Sequence, residues 1–291
     1  MIIVKIMGGL GNQLFQYALC YALEKKGADV KVDTSFYDSF NEENTERESI
    51  RELLGIEFEE ASRDSVDIYK KKNEEVIWKY ILSRIPLLRQ YIPYYVEESE
   101  EYKRCILTRK NGYLFGYWQT AKYFNDIRPV ILDKFIKIEK PKSVEYTELE
   151  RTITESNHAV SIHIRGGDYY NKYNIEKMGG ICNLQYYSKA IEIIKSTWND
   201  ATFFVFTDDD KLAKNVLPSD EKYYFVRSTL WNDYYDLLLM SECDGNIIAN
   251  SSFSWWAAWL NKNNSKVVVS PRQWNKTKRV RDIYCKDWIL I

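Results

Sequence analysis

Short apolar runs alternate with amphipathic stretches along most of this chain. Residues 2–6 form an apolar run that Gly8, Gly9 and Gly11 then break. From residue 14 to 26 the apolar positions recur at helical spacing, with Leu14, Ala18, Tyr21 and Ala22 near one face. Lys25 and Lys26 suit the negative end of the helix dipole, and Gly27 is a natural stop. Residues 30–32 predict a second strand, followed by Asp33, so the opening reads as a βαβ unit.

The pattern is most regular in the second half. Strands are predicted over 159–164, 202–206, 223–226, 246–249 and 266–269. Helices are predicted over 184–195, with Asn183 as N-cap, and over 209–217, 232–242 and 253–262. Strand and helix alternating at this pitch predict a parallel sheet with crossover helices. The polar, proline-bearing stretch 141–156 is the expected boundary. The expected organisation is two α/β domains, 1–150 and 151–291, facing across a cleft. Between them, residues 36–110 are less legible, and 66–96 predict amphipathic helices. That stretch also suits acceptor recognition or contact with a membrane surface presenting a lipid-linked acceptor.

Composition narrows the function. The 291 residues carry 45% hydrophobic and 29% charged side chains and a formal net charge of −1, the balance of a globular protein without the basic excess of a nucleic-acid binder. The five cysteines are scattered and form no C-x-x-C, which argues against a disulfide framework or a structural zinc and fits a reducing compartment. The uncharged stretch 6–23 is interrupted by glycine and amide residues and lacks the features of a signal peptide or a spanning helix. The expected location is the cytoplasm. Aromatics at 15% read chiefly as core, with some suited to a sugar cleft.

Four constellations carry chemistry. Gly8, Gly9, Gly11, Asn12 and Gln13 follow a strand and open a helix, where backbone N–H groups favour an anion. With Asp33 they also resemble part of a dinucleotide-binding fingerprint, although Leu14 stands at the third glycine position. His163, Arg165 and Asp168 lie at the C-terminal end of a predicted strand, where a guanidinium can grip a diphosphate. Asp208, Asp209 and Asp210 follow another strand; they read as Asp208 in a site with the other two in a helix's first turn, or as divalent-metal ligands. Asn250, Ser251 and Ser252 open a helix and suit both capping and phosphate binding. Walker A, H-E-x-x-H and G-x-S-x-G motifs are absent.

Together these blocks resemble glycosyltransferase family 11, the bacterial-type α-1,2-fucosyltransferases. The resemblance rests on 8–18 (GGLGNQLFQYA), His163-x-Arg165-x-x-Asp168-Tyr169, 206–209 (FTDD) and 250–258 (NSSFSWWAA). It implies a GT-B-like pair of Rossmann-like domains. It implies an inverting transfer of L-fucose from GDP-β-L-fucose to the 2-hydroxyl of a galactoside in a glycan, with no metal and no cofactor beyond the donor substrate. The N-terminal domain would take the acceptor and the C-terminal domain the donor, in polysaccharide or O-antigen synthesis. On this resemblance Arg165, His163, Asp168 and Asn12 are candidate catalytic residues, and Gly9, Gly11, Gln13, Asp208, Asn250, Ser251 and Ser252 would bind substrate. Many relatives have a second arginine where this chain has Gly166. The competing readings are a metal-dependent glycosyltransferase with another donor using Asp208 and Asp210, an oxidoreductase using Gly9, Gly11 and Asp33, and a sugar-binding module.

Overall fold

The computed structural model describes residues 1–38, 48–74, 93–172, 174–226 and 231–291, without the side chains of 72–74 and 168. The chain divides into two compact α/β units: residues 1–138 with 281–283, and residues 139–280 with 284–291. The division falls ahead of the expected 150/151 boundary because residues 141–156 are not a linker. They form helix α5 (Val144–Glu155), which follows the short α3 (Arg104–Leu107) and α4 (Arg128–Ile136) and is capped by Ser143, whose hydroxyl accepts from Tyr146 N. Tyr146 is 1% exposed and packs edge-on against Trp231, 5.3 Å between centroids, which ties this helix to the second unit. The expected amphipathic helices over 66–96 lie largely outside the described residues; within them stand α2 (Arg63–Glu74) and β4 (Tyr94–Val96).

The first unit is built on a five-stranded sheet in the order β3-β2-β1-β5-β4, with every pairing parallel. β1 (Ile2–Lys5) is buried along its length and lies between β2 (Val30–Asp33) and β5 (Gly112–Phe115); β3 (Glu59–Glu60) and β4 are the edges. An apolar run without alternation is what a strand covered on both faces requires. Helix α1 (Leu10–Lys25) starts four residues earlier than its apolar spacing predicts, so Gly11, Asn12 and Gln13 lie inside its first turn rather than in a loop. Gly8 supplies the turn, at φ 83°, and Gly27 ends the helix run at φ 80°. Among its buried residues are Leu14, Phe15, Tyr17, Ala18 and Leu19, so the helix is enclosed rather than one-faced.

The second unit has a six-stranded sheet in the order β11-β10-β9-β6-β7-β8, again parallel throughout. Its central strands are β6 (Ala159–Ile164), β7 (Thr202–Thr207) and β9 (Gly245–Ile247), with β8 (Tyr223–Val226), β10 (Val267–Ser270) and β11 (Ile289–Leu290) outward. Val160, Ile162 and Ile164 share one face and pack with Tyr187, Ile191 and Ile194 of α6 (Leu184–Thr197). The alternate positions Ser161 and His163 are buried as well. Asn246 Nδ2 donates to Ser161 Oγ at 2.7 Å and to Met240 O at 2.7 Å. Asn261 Nδ2 donates to Asn246 Oδ1 at 3.0 Å, so the buried amides satisfy one another.

Three further helices follow: α7 (Asp210–Val216), α8 (Asp233–Glu242) and α9 (Ser252–Leu260). Trp255, Trp256 and Trp259 of α9 are all buried, and Trp255 lies 5.1 Å from Trp256 and 6.1 Å from Trp259 between ring centroids. They are packing residues, as expected for large rings on a helix enclosed against a sheet. Among the described residues no helix is long and apolar enough to cross a membrane.

Candidate active site

Each sheet has a topological switch point, where consecutive connections leave in opposite directions and a crevice opens at the strand ends. In the second unit it lies between β6 and β9. Arg165 follows β6, and Asn250 to Ser252 follow β9, so two of the four motifs flank that crevice. In the first unit the switch point lies between β1 and β5. Gly8 to Gln13 follow β1, and Gly116 to Gln119 follow β5.

Arg165 is a third exposed and forms an ion pair through Nη1 with Asp208 Oδ2. The other oxygen of Asp208 accepts from Gly166 N at 2.6 Å. One carboxylate thus holds both the guanidinium and the turn that follows it. Gly166 and Gly167 wrap that carboxylate closely: a Cβ on Gly166 would lie 2.5 Å from Asp209 Cβ, and one on Gly167 2.9 Å from Asp208 Oδ2. The guanidinium carbon stands 5.8 Å from the Tyr169 ring centre. Tyr169 donates its hydroxyl to Asn250 O at 2.9 Å, which joins the two sides of the switch point.

Asp209 N-caps α7, accepting from Leu212 N at 2.9 Å, and Asp210 is the helix's first residue. The three adjacent acids are therefore divided among an arginine anchor, an N-cap and a helix's first residue, so Asp209 lies one position ahead of the first turn expected for it. No cluster of His, Cys, Asp and Glu that could hold a metal ion occurs among the described residues.

His163 is 5% exposed, with its ring tilted against Phe253 at 5.2 Å between centroids. Burial, reinforced by the positive charge of Arg165, lowers its pKa from 6.5 to about 3. Its Nδ1 has no hydrogen-bond partner among the described residues. The backbone of Asp168 lies in a turn of 3₁₀ helix (Gly167–Tyr170), and its side chain is outside what is described.

Ser251 caps α9, its hydroxyl accepting from Phe253 N at 3.3 Å, and Ser252 opens the helix, partly exposed. Asn250 has a different task. Its Nδ2 donates to Met178 O and Trp274 O, both at 3.2 Å, and its Oδ1 accepts from the Cys182 thiol at 3.6 Å. The side chain is 2% exposed and pins three surrounding segments.

In the first unit Gln13 is likewise enclosed. Its Nε2 donates to Glu48 O at 2.8 Å and its Oε1 accepts from Ile50 N at 2.9 Å. Gln16 Oε1 accepts from Met7 N at 2.9 Å while its Nε2 donates to Gly116 O at 3.0 Å, clipping together the loops after β1 and β5. Asn12 alone of these amides is partly exposed, and its Oδ1 accepts from Gln119 Nε2 at 2.7 Å. Gly9 is the N-cap position of α1 with no side chain to cap it, and Gly11 is buried in the first turn.

Sequence reasoning missed the β5 loop. Trp118 adopts φ 59°, unusual for a residue with a side chain, and is 1% exposed. Glu97 Oε2 holds it there, accepting from Tyr117 N at 2.7 Å and Trp118 N at 3.2 Å. Backbone strain of this kind persists only where the surroundings enforce it, and it gathers at ligand sites. A short strand broken by Gly116, with polar Gln119 just beyond it, is the signal that was available.

Asp33 is not open to a ribose hydroxyl. Its carboxylate is 4% exposed and accepts from Lys5 Nζ at 3.1 Å, Ser35 N at 3.0 Å and Tyr113 Oη at 2.5 Å. Burial alone would raise its pKa, but hydrogen bonds from Ser35 and Tyr113 and the charge of Lys5 bring it below the ordinary value. The oxidoreductase reading loses its acid.

Comparison with known proteins gives the family. The model of Glycosyl transferase family 11 matches residues 63–291, and the chain belongs to that family. It is 34% identical over 309 residues to the O-antigen biosynthesis glycosyltransferase WbnK of Escherichia coli, covering 98% of each. It is 29% identical over 302 residues to an alpha-1,2-colitosyltransferase of Escherichia coli, covering 100% of this chain and 98% of that one. It is 20% identical over 299 residues to the galactoside 2-alpha-L-fucosyltransferase Sec1 of Mus musculus, covering 99% of this chain and 73% of that one.

Proposed function

We propose that this glycosyltransferase moves L-fucose from GDP-β-L-fucose to the 2-hydroxyl of a galactoside in a glycan, with inversion. The second unit binds the donor and the first the acceptor. The observation that carries the reading is the Arg165 guanidinium at the β6/β9 switch point, opposite the Ser251–Ser252 start of α9. Breaking the bond between the sugar's C1 and the phosphate oxygen leaves negative charge on the diphosphate. A guanidinium and helix-start N–H groups stabilise that charge. The acceptor oxygen bonds to C1 from the other face, and its proton passes to base or solvent.

Asn12 would position sugar from the first unit, on an α1 start shaped by Gly9 and Gly11. Asp208 acts on the donor through Arg165. Asn250 and Gln13, with their amides engaged, shape the site without touching substrate. His163 is neutral at the pH of the reaction, and its burial disfavours a charged imidazolium, so it is better suited to packing beside the donor than to taking the proton. Asp168 stays a candidate for orienting Arg165 or a hydroxyl. The donor is a substrate, and the reading requires neither a metal nor a further cofactor. The name of one bacterial relative supports O-antigen or related polysaccharide synthesis as the setting; a cytoplasmic location with a lipid-linked acceptor at the membrane is proposed with it.

The resemblance to a colitosyltransferase favours one second reading, a GDP-colitose donor. Colitose is fucose without its 3-hydroxyl, so a site that hydrogen-bonds that hydroxyl rejects colitose, and an apolar one does not. The test is product analysis by mass spectrometry with GDP-fucose, GDP-colitose, GDP-mannose and UDP-galactose in turn, lactose as acceptor and EDTA present. Fucosyl-lactose alone supports the reading, and colitosyl-lactose replaces the donor. Transfer only from UDP-galactose, or only without EDTA, overturns it.

A further inference from the structure

We propose that the loop after β10, residues 272–280, is a second anion-binding site, separate from Arg165, that takes a phosphate or diphosphate group. The loop carries Arg272, Lys276, Lys278 and Arg279, all exposed, and no carboxylate. The chain as a whole is balanced, with 41 basic and 42 acidic residues, so this concentration of one sign is local. Arg272 donates one nitrogen to Leu290 O at 2.8 Å. The side chains of Lys276, Lys278 and Arg279 have no acceptor among the described residues.

The cations stand on a fixed frame. Trp274 is 4% exposed, and its carbonyl accepts from the buried Asn250 amide at 3.2 Å. Lys276 N donates to Lys177 O at 2.8 Å. Asn275 Oδ1 accepts from Thr277 N at 2.8 Å and Lys278 N at 3.0 Å, which closes the loop's tip. These residues line an open surface recess of about 320 Å³, with room for a diphosphate. The adjoining segment adds Lys177, with Glu176 as its one acid beside it. Like charges held together on an ordered backbone repel one another, and an anion in the recess relieves that repulsion. The loop leaves the C-terminal end of β10, the end at which parallel sheets hold ligands.

The inference does not depend on the proposed transfer, because its test needs no sugar. Inorganic pyrophosphate is titrated calorimetrically into Arg165→Ala, which removes the donor-side guanidinium, and into the same protein carrying Lys276→Ala, Lys278→Ala and Arg279→Ala. A third protein carries Lys276→Arg, Lys278→Arg and Arg279→Lys in the Arg165→Ala background. All three positions are exposed, and melting curves verify the fold. At least tenfold weaker binding in the alanine protein, with binding kept in the charge-conserving one, is expected. Co-sedimentation with phosphatidylcholine vesicles, with and without phosphatidylglycerol, separates the sources. Charge-dependent vesicle binding that the alanine changes abolish assigns the site to a lipid headgroup. Pyrophosphate binding without it assigns a soluble phosphate compound. Equal pyrophosphate affinity in the alanine and parent proteins, or no binding to either probe, overturns the proposal.

Discussion

Asp208 holds Arg165 through one carboxylate oxygen and the N–H of the next residue, Gly166, through the other, at 2.6 Å. The arginine at the β6/β9 switch point is thus set by a carboxylate from the neighbouring strand's end. Asp208→Ala removes this ion pair from Arg165 and leaves the Gly166 N–H without its carboxylate acceptor. The expected result is a fall of at least about tenfold in kcat/KM, equivalent to about 1.4 kcal/mol. Steady-state kinetics with GDP-fucose checks it. An effect on acceptor KM alone would show that Asp208 does not act through Arg165.

The family resemblance implies a second arginine where this chain has Gly166, yet introducing one is not expected to help this chain. Its Cβ would stand 2.5 Å from Asp209 Cβ. Gly166→Ala and Gly166→Arg both have to displace the start of α7, at a cost of about 1–3 kcal/mol. Denaturant unfolding should show the loss in both, with no gain in GDP affinity for the arginine variant.

The fold was legible where apolar periodicity was strong. Every strand and helix expected after residue 159 is present, with ends shifted by a few residues, because alternation along β6 and capping by Asn183 and Asp209 are local signals. The 141–156 stretch misled because its many charged residues lie on the outer face of α5, while Tyr146 and Ile153 are its buried contacts. The candidate site was legible as motifs but not as roles. Asn250 and Gln13 look like ligand-binding amides in sequence. Only their partners, distant along the chain, reveal that they pin loops. The β5 loop was missed because its features, a strained Trp118 and the Gln119–Asn12 bond, arise from contacts with Glu97 and α1.

That bond yields a prediction for the first unit. Gln119→Ala removes the donor that orients Asn12. An acceptor KM raised about tenfold, with GDP affinity unchanged, is expected from a lost positioning hydrogen bond of about 1–1.5 kcal/mol. Initial rates at varied lactose and calorimetry with GDP separate the two effects.

His163 makes the fold sensitive to acid. Its pKa is about 3 when folded and near 6.5 when unfolded, so below pH 6.5 the unfolded chain binds a proton that the folded one refuses. Stability therefore rises with pH between about 3 and 6.5, and up to about 1.4 kcal/mol is lost per unit on acidification. Urea unfolding at pH 7, 6 and 5 should show this slope in the wild type and a flatter one in His163→Gln. Equal slopes would place the imidazole in contact with water.

Asp33 behaves in the opposite sense of charge but adds to the same acid lability. Its folded pKa is depressed, so its contribution is present above the unfolded value and is lost as pH falls through the folded one, below 3.8. Asp33→Asn leaves Lys5 buried without its counter-charge, and a loss of about 3–5 kcal/mol at pH 7 is expected. Unfolding measurements should find the gap between the two proteins narrowing only below pH 4.

Arg165 and the start of α9 are proposed to receive the diphosphate of a GDP-sugar. Calorimetric titration of GDP into the wild type and Arg165→Ala, with a melting curve for each, tests it most directly. Binding to the wild type and at least tenfold weaker binding to an equally folded Arg165→Ala are expected. Equal affinity in the two proteins, or no GDP binding by the wild type, would contradict it.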